Sequence, residues 1–326
     1  MVLFGIPAHW APRPKMTPGS ARRKAEPWTD PSPHVSLSAK VNGVRLNYLD
    51  WGGSGPNLIF IPGLFDNAHC FDALAPAFLD RYRAVAYSRR GHGRSQAKSP
   101  YDPRTWVEDL RCLMDKLGMG RAHLAGWSAG GIEVTGMAVN HPTRVDRIVY
   151  LDAALDFDDP KWKAIGQSYV AAHLVEARRL SSLDAWWEYW DEKFPGRIHH
   201  REYEASIRDG VIVHRDGSVR PRTSDRVAGK LWSAAMGYRK DYSAVRVPAL
   251  AICPETFLDV ANGSAAVRAD HRAWERKIAP CREGSRRRLQ RELKGAKIVA
   301  VSGSHGDFFV KSQKQVAAAM RRFLDG

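Results

Sequence analysis

The stretch that decides the fold is Gly126-Trp127-Ser128-Ala129-Gly130, a Gly-x-Ser-x-Gly pattern. It follows an apolar run over residues 122–125 and precedes a helix-like run over residues 132–139. A serine on so tight a turn from strand to helix carries its hydroxyl outward from a strained backbone. A Cβ at either glycine would collide with a neighbouring strand or helix. The pattern therefore predicts a nucleophile at Ser128, with a structural loop serine as the alternative.

A second signal lies upstream, where an apolar run over residues 57–61 stops at Pro62-Gly63-Leu64. A strand that ends in a Pro-Gly turn can leave the amide of Leu64 pointing into a pocket, and the amide of Ala129 has no intrahelical acceptor. Two such donors can bind the oxygen that becomes negative during acyl transfer, each worth about 3 kcal/mol of barrier. Leu64 and Ala129 are thus the predicted oxyanion-hole residues, although Pro-Gly alone is also a common strand terminator.

A third signal lies near the end of the sequence given. The apolar run 297–301 ends in a loop that reads Ser-Gly-Ser-His-Gly-Asp over residues 302–307, and an amphipathic helix is expected over residues 313–324. A histidine in a glycine-rich loop directly after a late strand suits a general base that must reach another loop. Among the 12 histidines of the chain, His305 is therefore the candidate base.

These motifs, together with the loop Arg-Arg-Gly-His-Gly-Arg-Ser over residues 89–95, resemble the α/β-hydrolase superfamily. The resemblance implies that Ser128 attacks, that His305 takes and returns the proton, and that the amides of Leu64 and Ala129 form the oxyanion hole. It also implies an α/β fold: a mostly parallel eight-stranded sheet flanked by helices, with a helical cap insertion. The usual aspartate of the loop is Ser88 here, which we expect to alter only local hydrogen bonding.

The acid of the expected triad is harder to assign. Phe257 stands where the superfamily most often carries it, after the strand that begins at residue 249. Some members place the acid after the sixth strand, where this chain has Asp152 at the sheet edge at which ligands gather. A carboxylate there would hold the imidazole in one tautomer. We favour Asp152; Asp259 and Glu255 are the alternatives, and a capping carboxylate is the structural reading of Asp152.

The domain organisation follows from composition and from the alternation of strands and helices. With 326 residues and 44% hydrophobic content, the chain can form one large domain with an insertion. We expect a basic, proline-rich arm over 1–35, a core over 36–154 and 245–326, and a cap over 155–244. The predicted strands cover residues 35–41, 44–50, 58–61, 84–87, 122–125, 148–151, 249–252 and 298–301, and the clearest predicted helix covers residues 105–117.

The predicted cap is rich in aromatic residues. Trp186, Trp187 and Trp190 lie at helical spacing and share one face. With Trp127 beside the serine, they are the candidates for lining a substrate pocket, which would favour a bulky apolar group and exclude water. The plainer reading is that they pack the small core of the insertion itself. Residues 211–219 are compatible with a small hairpin in this region.

Composition argues against several classes of function. The formal net charge is +15, and basic residues are concentrated over 261–299, but no nucleic-acid motif accompanies them. The four cysteines have no paired spacing, so we expect neither a disulfide scaffold nor a metal site. No stretch reaches the length of a membrane span or resembles an export signal. We expect a cytoplasmic protein that needs no cofactor, does not bind nucleic acid or membranes, and can form a homodimer.

The expected function is that of a serine hydrolase that cleaves a carboxylic ester or lactone through an acyl-enzyme on Ser128. A serine at this position argues against dehalogenases and epoxide hydrolases that need a carboxylate there. The same triad also serves amide and carbon–carbon bond hydrolases, so these stay open as an alternative. A non-catalytic, ligand-binding protein of the same fold is the alternative from a different class.

Overall fold

The structure is a computed structural model, and it describes residues 29–173, 180–193 and 203–326. The chain divides into two compact units, Met1–Pro31 and Ser32–Gly326. Most of the predicted arm, residues 1–28, lies outside the described residues, so the arm stays a prediction. The elements named below all belong to the second unit. Within the described ranges, no helix combines the length and apolar character needed to cross a bilayer.

An eight-stranded sheet forms the centre of this unit, in the order β1-β2-β4-β3-β5-β6-β9-β10. β2 runs antiparallel to both β1 and β4, and all other neighbouring pairs are parallel. The strands are β1 (Val35–Val41), β2 (Val44–Gly52), β3 (Asn57–Ile61), β4 (Arg83–Tyr87), β5 (Ala122–Trp127), β6 (Val145–Leu151), β9 (Ala249–Thr256) and β10 (Lys297–Ser304). The predicted mostly parallel eight-stranded sheet is confirmed.

The burial of the central strands explains their sequences. Every residue of β5 is buried, as expected of a strand that is bordered by β3 and β6 and covered on both faces. The helices outside the insertion are α1 (Pro103–Lys116), α2 (Gly130–Asn140), α7 (Ala265–Glu292), α8 (Phe308–Lys311) and α9 (Gln313–Leu324). Because parallel strands end at one edge, the residues after β3, β5, β6, β9 and β10 gather there.

An insertion of helices and one hairpin separates β6 from β9. Its elements are α3 (Pro160–His173), α4 (Leu183–Lys193), α5 (Glu204–Gly210), β7 (Val211–Val213), β8 (Val219–Pro221) and α6 (Asp225–Gly237). The hairpin expected over residues 211–219 is present, with β7 antiparallel to β8. These elements occupy the segment predicted as a cap, and its boundaries at 155–244 stay a prediction.

Two segments differ from the expectation. The sequence around residues 71–79 predicts a helix, but the structure has two short 3₁₀ turns, Ala68–Phe71 and Ala75–Phe78. Asn67 caps the first turn through the His69 amide, and Pro76 interrupts further helical bonding. The basic stretch over 261–299 contains α7, a helix of 28 residues that the apolar periodicity of the sequence did not predict. Only a few of its residues are buried, so its apolar stripe is weak.

Candidate active site

The Ser128 turn has the backbone that the Gly-x-Ser-x-Gly pattern predicts. Ser128 lies between β5 and α2 with φ of +52° and is half-buried. Such a φ is unusual for a non-glycine residue and marks stored strain. A Cβ on Gly126 would lie 2.5 Å from the Gly130 carbonyl oxygen, and one on Gly130 would lie 2.4 Å from the Ile61 carbonyl oxygen. The two glycines are therefore required by the close approach of β5, α2 and β3.

His305 lies in the loop after β10 and is paired with Asp152. Its Nδ1 is 2.7 Å from Oδ2 of Asp152, whose side chain is 5% exposed. Asp152 follows β6 with φ of +43°, and its N–H donates to the Ile252 carbonyl at 2.8 Å. A proton on Nδ1 donated to the carboxylate leaves Nε2 of His305 as a hydrogen-bond acceptor. That is the tautomer a general base needs.

Two aromatic rings hold the His305 loop against the serine turn. The Trp127 indole N–H donates to the His305 carbonyl at 3.0 Å, and the two ring centroids are 5.5 Å apart. Phe257 stacks on the imidazole with a centroid distance of 4.3 Å and an interplanar angle of 19°. Because Trp127 directly precedes Ser128, this packing brings the imidazole next to the elbow. Phe257, the residue at the usual position of the acid, contributes a flat wall instead.

The charge of Asp152 is stabilised against its burial. Burial alone raises the pKa of the carboxyl, but the Arg282 charge and the hydrogen bond with His305 outweigh this and hold the pKa below its ordinary value. The Nη2 atom of Arg282 lies 3.4 Å and 3.5 Å from the two carboxylate oxygens. Asp152 can therefore stay ionised beside the imidazole, which is the state that orients and stabilises an imidazolium.

The two alternative acids have other partners. Asp259 accepts from the amides of Ala261 and Asn262 and pairs with Lys311 at 2.9 Å. Burial raises its pKa, but hydrogen bonds from Asn262 and Lys311 lower it to about 2. Glu255 is exposed, and its carboxylate lies 3.5 Å from the Ser302 hydroxyl. The structure thus brings Asp152 to His305 and places Asp259 and Glu255 in other networks.

The predicted oxyanion loop lies directly against the serine. A Cβ on Gly63 would be 3.3 Å from the Ser128 Cβ, so the absence of a side chain at Gly63 favours this close approach. The buried Arg89 donates to the Gly63 carbonyl at 3.3 Å and to the Pro62 carbonyl at 3.0 Å. In a trans peptide the N–H points opposite to the C=O, so the Leu64 N–H is turned away from Arg89.

Arg89 is itself anchored to the helix that follows the serine. It binds both carboxylate oxygens of Glu133 on α2, at 2.5 Å and 3.0 Å, and both side chains are fully buried. The pair connects the turn of Leu64 to the helix that begins after Ala129. Sequence reasoning missed both residues, since Arg89 was noted only as part of a loop motif.

The four tryptophans proposed for the pocket have different environments. Trp127 is 2% exposed and packs on Phe309, beneath the imidazole and away from solvent. Trp186 is 4% exposed and belongs to a small cluster with the β7–β8 hairpin, as the plainer reading expected. Trp187 is half-buried. The side chain of Trp190 lies outside the described residues.

Other aromatic residues lie beside the elbow. Phe65, next to Leu64, is 49% exposed and has φ of +68°. Its ring is parallel to that of Trp232 on α6, with an interplanar angle of 5° and a centroid distance of 6.5 Å. Leu64, Trp232 and Phe257 all pack on one apolar cluster that includes Ala129. The elbow thus faces an aromatic surface that extends from the sheet edge to α6.

A second group of titratable side chains lies elsewhere, at the start of β1 and beneath β2. Ligand atoms of His34, His69 and Asp72 all lie within 4.8 Å of one another, so this group could hold a metal ion. In the structure the carboxylate contacts both imidazoles, at 3.4 Å and 3.0 Å. Burial raises the pKa of Asp72, but these two contacts hold it below its ordinary value. The group is therefore accounted for by contacts between one carboxylate and two imidazoles.

Comparison with known proteins agrees with the observed fold. The family model described as alpha/beta hydrolase fold matches residues 56–197. A 2-(acetamidomethylene)succinate hydrolase of Mesorhizobium japonicum is 28% identical over 44% of this chain and 54% of its own length. A 3-oxoadipate enol-lactonase of Acinetobacter baylyi is 29% identical over 41% of this chain and 51% of its own length. The first curated relatives are matched over only 29% to 54% of their length.

The solved structures extend the likeness to almost the whole chain. The crystal structure of E-2-(acetamidomethylene)succinate hydrolase superimposes with a TM-score of 0.71 and 23% identity, covering 90% of this chain and all of that one. At this identity the likeness concerns the fold. The nucleophile-elbow backbone, the sheet order and the family match agree with one another, and together they place the chain in the α/β-hydrolase superfamily.

Proposed function

We propose that the protein is a serine hydrolase that cleaves a carboxylic ester or lactone bearing a bulky apolar group. The observation that carries the proposal is the 2.7 Å contact between His305 and Asp152, held beside the strained turn of Ser128. A serine, an imidazole in a fixed tautomer and an ionised carboxylate are the three groups that acyl transfer needs.

In the proposed reaction, Nε2 of His305 takes the hydroxyl proton as Ser128 attacks the carbonyl carbon. The negative oxygen of the tetrahedral intermediate accepts hydrogen bonds from the amides of Leu64 and Ala129. The imidazolium then returns the proton to the leaving alkoxide, and an acyl-enzyme remains. His305 next activates water, which releases the acid and restores the serine. Asp152 stabilises the imidazolium in both halves.

The preference for a bulky group is supported by the aromatic surface beside the elbow. Phe65 is exposed at the mouth of the site and faces Trp232 of α6, while Phe257 covers the imidazole. Large apolar rings at an otherwise polar edge favour an apolar acyl or alcohol group by removing its surface from water. A relative named enol-lactonase is consistent with an ester or lactone.

The test uses a p-nitrophenyl ester series and a fluorophosphonate probe. The wild-type protein should hydrolyse esters and be labelled once per chain, and Ser128→Ala should lose both properties. His305→Ala should lose labelling as well, because the hydroxyl then has no base. Ser302→Ala, at an exposed position near the end of β10, is the matched control and should retain both. Labelling of the Ser128→Ala variant would contradict the assigned nucleophile.

An amide is the second candidate substrate, and one comparison favours it. The solved structure that covers 90% of this chain is a hydrolase whose name describes an acetamido substrate. An amide and an ester need the same triad, so a panel that pairs each ester with its amide separates the two. If the protein is neither labelled nor active on any member of the panel, a non-catalytic binding function replaces the proposal.

A further inference from the structure

The acid of this site has an unusual partner on α7. Arg282 is 12% exposed, and its Nη2 lies 3.4 Å from Asp152 and donates to the Pro254 carbonyl at 2.8 Å. Its Nη1 lies 3.5 Å from the Glu275 carboxylate. Glu275 in turn accepts from the amides of Phe257 and Leu258, at 2.9 Å and 3.0 Å. One arginine thus joins the acid, the end of β9 and the segment that carries the ring stacked on His305.

We propose that Arg282 is a positioning residue of this site: it holds the Asp152 carboxylate in place and sets the pH range in which His305 can accept a proton. The inference rests on the proposed function. Asp152 favours a positive imidazolium, and a guanidinium that shares the same carboxylate offsets part of that attraction. Without Arg282, the whole charge of Asp152 would face the imidazole.

The charged groups that face this pair are few within the described residues. α7 contributes Arg282 and Glu275, and the loop after β10 contributes His305 itself. Cys253 of β9 stays neutral, because burial, and after it the charge of Asp152, raises its pKa to about 12. Asp307 is turned toward the Ser304 amide and Lys311. The rings of Trp127 and Phe257 that pack on the imidazole carry no charge.

This geometry predicts opposite effects for two substitutions. Arg282→Gln removes the positive charge, so the acidic limb of the kcat/KM profile should move to higher pH by about one unit. Glu275→Gln retains an oxygen for the Phe257 and Leu258 amides but removes the negative charge that faces Arg282. Its acidic limb should move to lower pH, by about half a unit. If Arg282 and Glu275 only stabilised the fold, their substitutions would not shift the acidic limb in opposite directions.

The experiment measures kcat/KM for p-nitrophenyl butyrate from pH 5 to pH 9 on the full chain. Arg282→Lys should recover at least half of the shift caused by Arg282→Gln. Arg287→Gln is the control, because it removes the same charge from an exposed position of α7 and should give the wild-type profile. If Arg282→Gln does not fold, the Arg282→Lys and Glu275→Gln profiles decide the question.

Two outcomes overturn the proposal, and they can be told apart. In the first outcome, the wild-type protein hydrolyses the ester, and the acidic limbs of Arg282→Gln and Glu275→Gln coincide with the wild-type limb. This result overturns the role of Arg282 and leaves the proposed function in place. A wild-type protein that is neither labelled by a fluorophosphonate nor active on any ester or amide overturns the proposed function and this inference together.

Discussion

At the scale of single residues, the site depends on two backbone conformations that side chains rarely adopt. Ser128 and Asp152 both have positive φ, at +52° and +43°, directly after neighbouring strands. Each turn lifts a side chain above the sheet edge. Asp152 therefore reaches His305 from β6, although β9 and not β6 borders β10. Aspartate tolerates this region better than most residues, whereas a serine there marks a local constraint.

The assignment of the acid is tested by a matched pair of substitutions. Asp152→Asn should lower kcat by about 10³- to 10⁴-fold, because an amide can bind the wrong tautomer of His305 and cannot stabilise its imidazolium. Asp259→Asn should retain kcat/KM but lower Tm, because Asp259 binds local amides and Lys311 instead. Kinetics on a p-nitrophenyl ester and thermal unfolding distinguish the two. Near-native activity of Asp152→Asn would exclude it as the acid.

At the scale of elements, the site is assembled from loops held by contacts that are distant in sequence. Arg89, after β4, joins the Pro62 turn after β3 to Glu133 of α2. Tyr203, at the start of α5, donates to the Gly306 carbonyl next to His305. The insertion is therefore tied directly to the loop of the candidate base. A substitution in the insertion can therefore affect the His305 loop through this hydrogen bond, in addition to any effect on contacts with the substrate.

The role of α6 in substrate choice is tested at Trp232. Trp232→Ala should raise KM for a p-nitrophenyl octanoate or benzoate by about 10-fold, because burial of apolar surface against the indole is lost. KM for the acetate should change by less than about threefold, since so small a group cannot span to α6.

The control for Trp232 is Trp186, which is buried in the cluster of the β7–β8 hairpin. Trp186→Ala should lower Tm and leave the ratio of KM values for octanoate and acetate unchanged. An equal rise in KM for all esters in Trp232→Ala would show that this indole supports the fold and does not select the substrate.

At the scale of the whole molecule, many charges are used inside the fold. The formal net charge of +15 suggested a basic surface, yet Arg288 pairs with Asp156 at 2.5 Å and Arg282 faces Asp152. Part of the basic run of α7 thus lies against the domain and not in solvent. Buried ionisable groups of this kind make stability depend on pH.

His92 predicts the sign of that dependence. Burial, and after it the Arg89 charge, lowers the pKa of His92 to about 3, whereas an unfolded histidine titrates near 6.5. Below pH 6.5 the histidine of the unfolded chain binds a proton, whereas the buried imidazole of the native state stays neutral. The free energy of unfolding is therefore highest above pH 6.5 and decreases as the pH falls. The free energy of unfolding should decrease by about 2 kcal/mol between pH 7 and pH 5.

Urea unfolding at several pH values tests this, with His92→Gln expected to flatten the dependence. His214→Gln, in the β7–β8 hairpin, is the control and should follow the wild-type curve. His123→Gln offers a second case, because burial lowers the pKa of that imidazole too. If neither His92→Gln nor His123→Gln changes the slope, buried histidines do not cause the acid sensitivity.

Local patterns in the sequence were enough to predict the sheet and to select two of the candidate catalytic residues. All eight predicted strands are present, and the buried parallel strands, such as β5, read as continuous apolar segments. Ser128 and His305 were found in the same way, since each lies in a short glycine-rich turn directly after such a strand. In both cases the signal is contained within a few consecutive residues.

Tertiary structure alone decided which carboxylate meets the imidazole and which charges surround it. Asp152 and Asp259 follow neighbouring strands and Glu255 lies near the end of β9, so sequence could rank them but could not measure their distance from His305. Arg282 and Glu133 lie in helices with ordinary local patterns. These contacts join chain segments between 44 and 153 residues apart that meet only when the sheet forms. Electrostatic effects depend on distance in space, and that is the quantity a linear pattern does not carry.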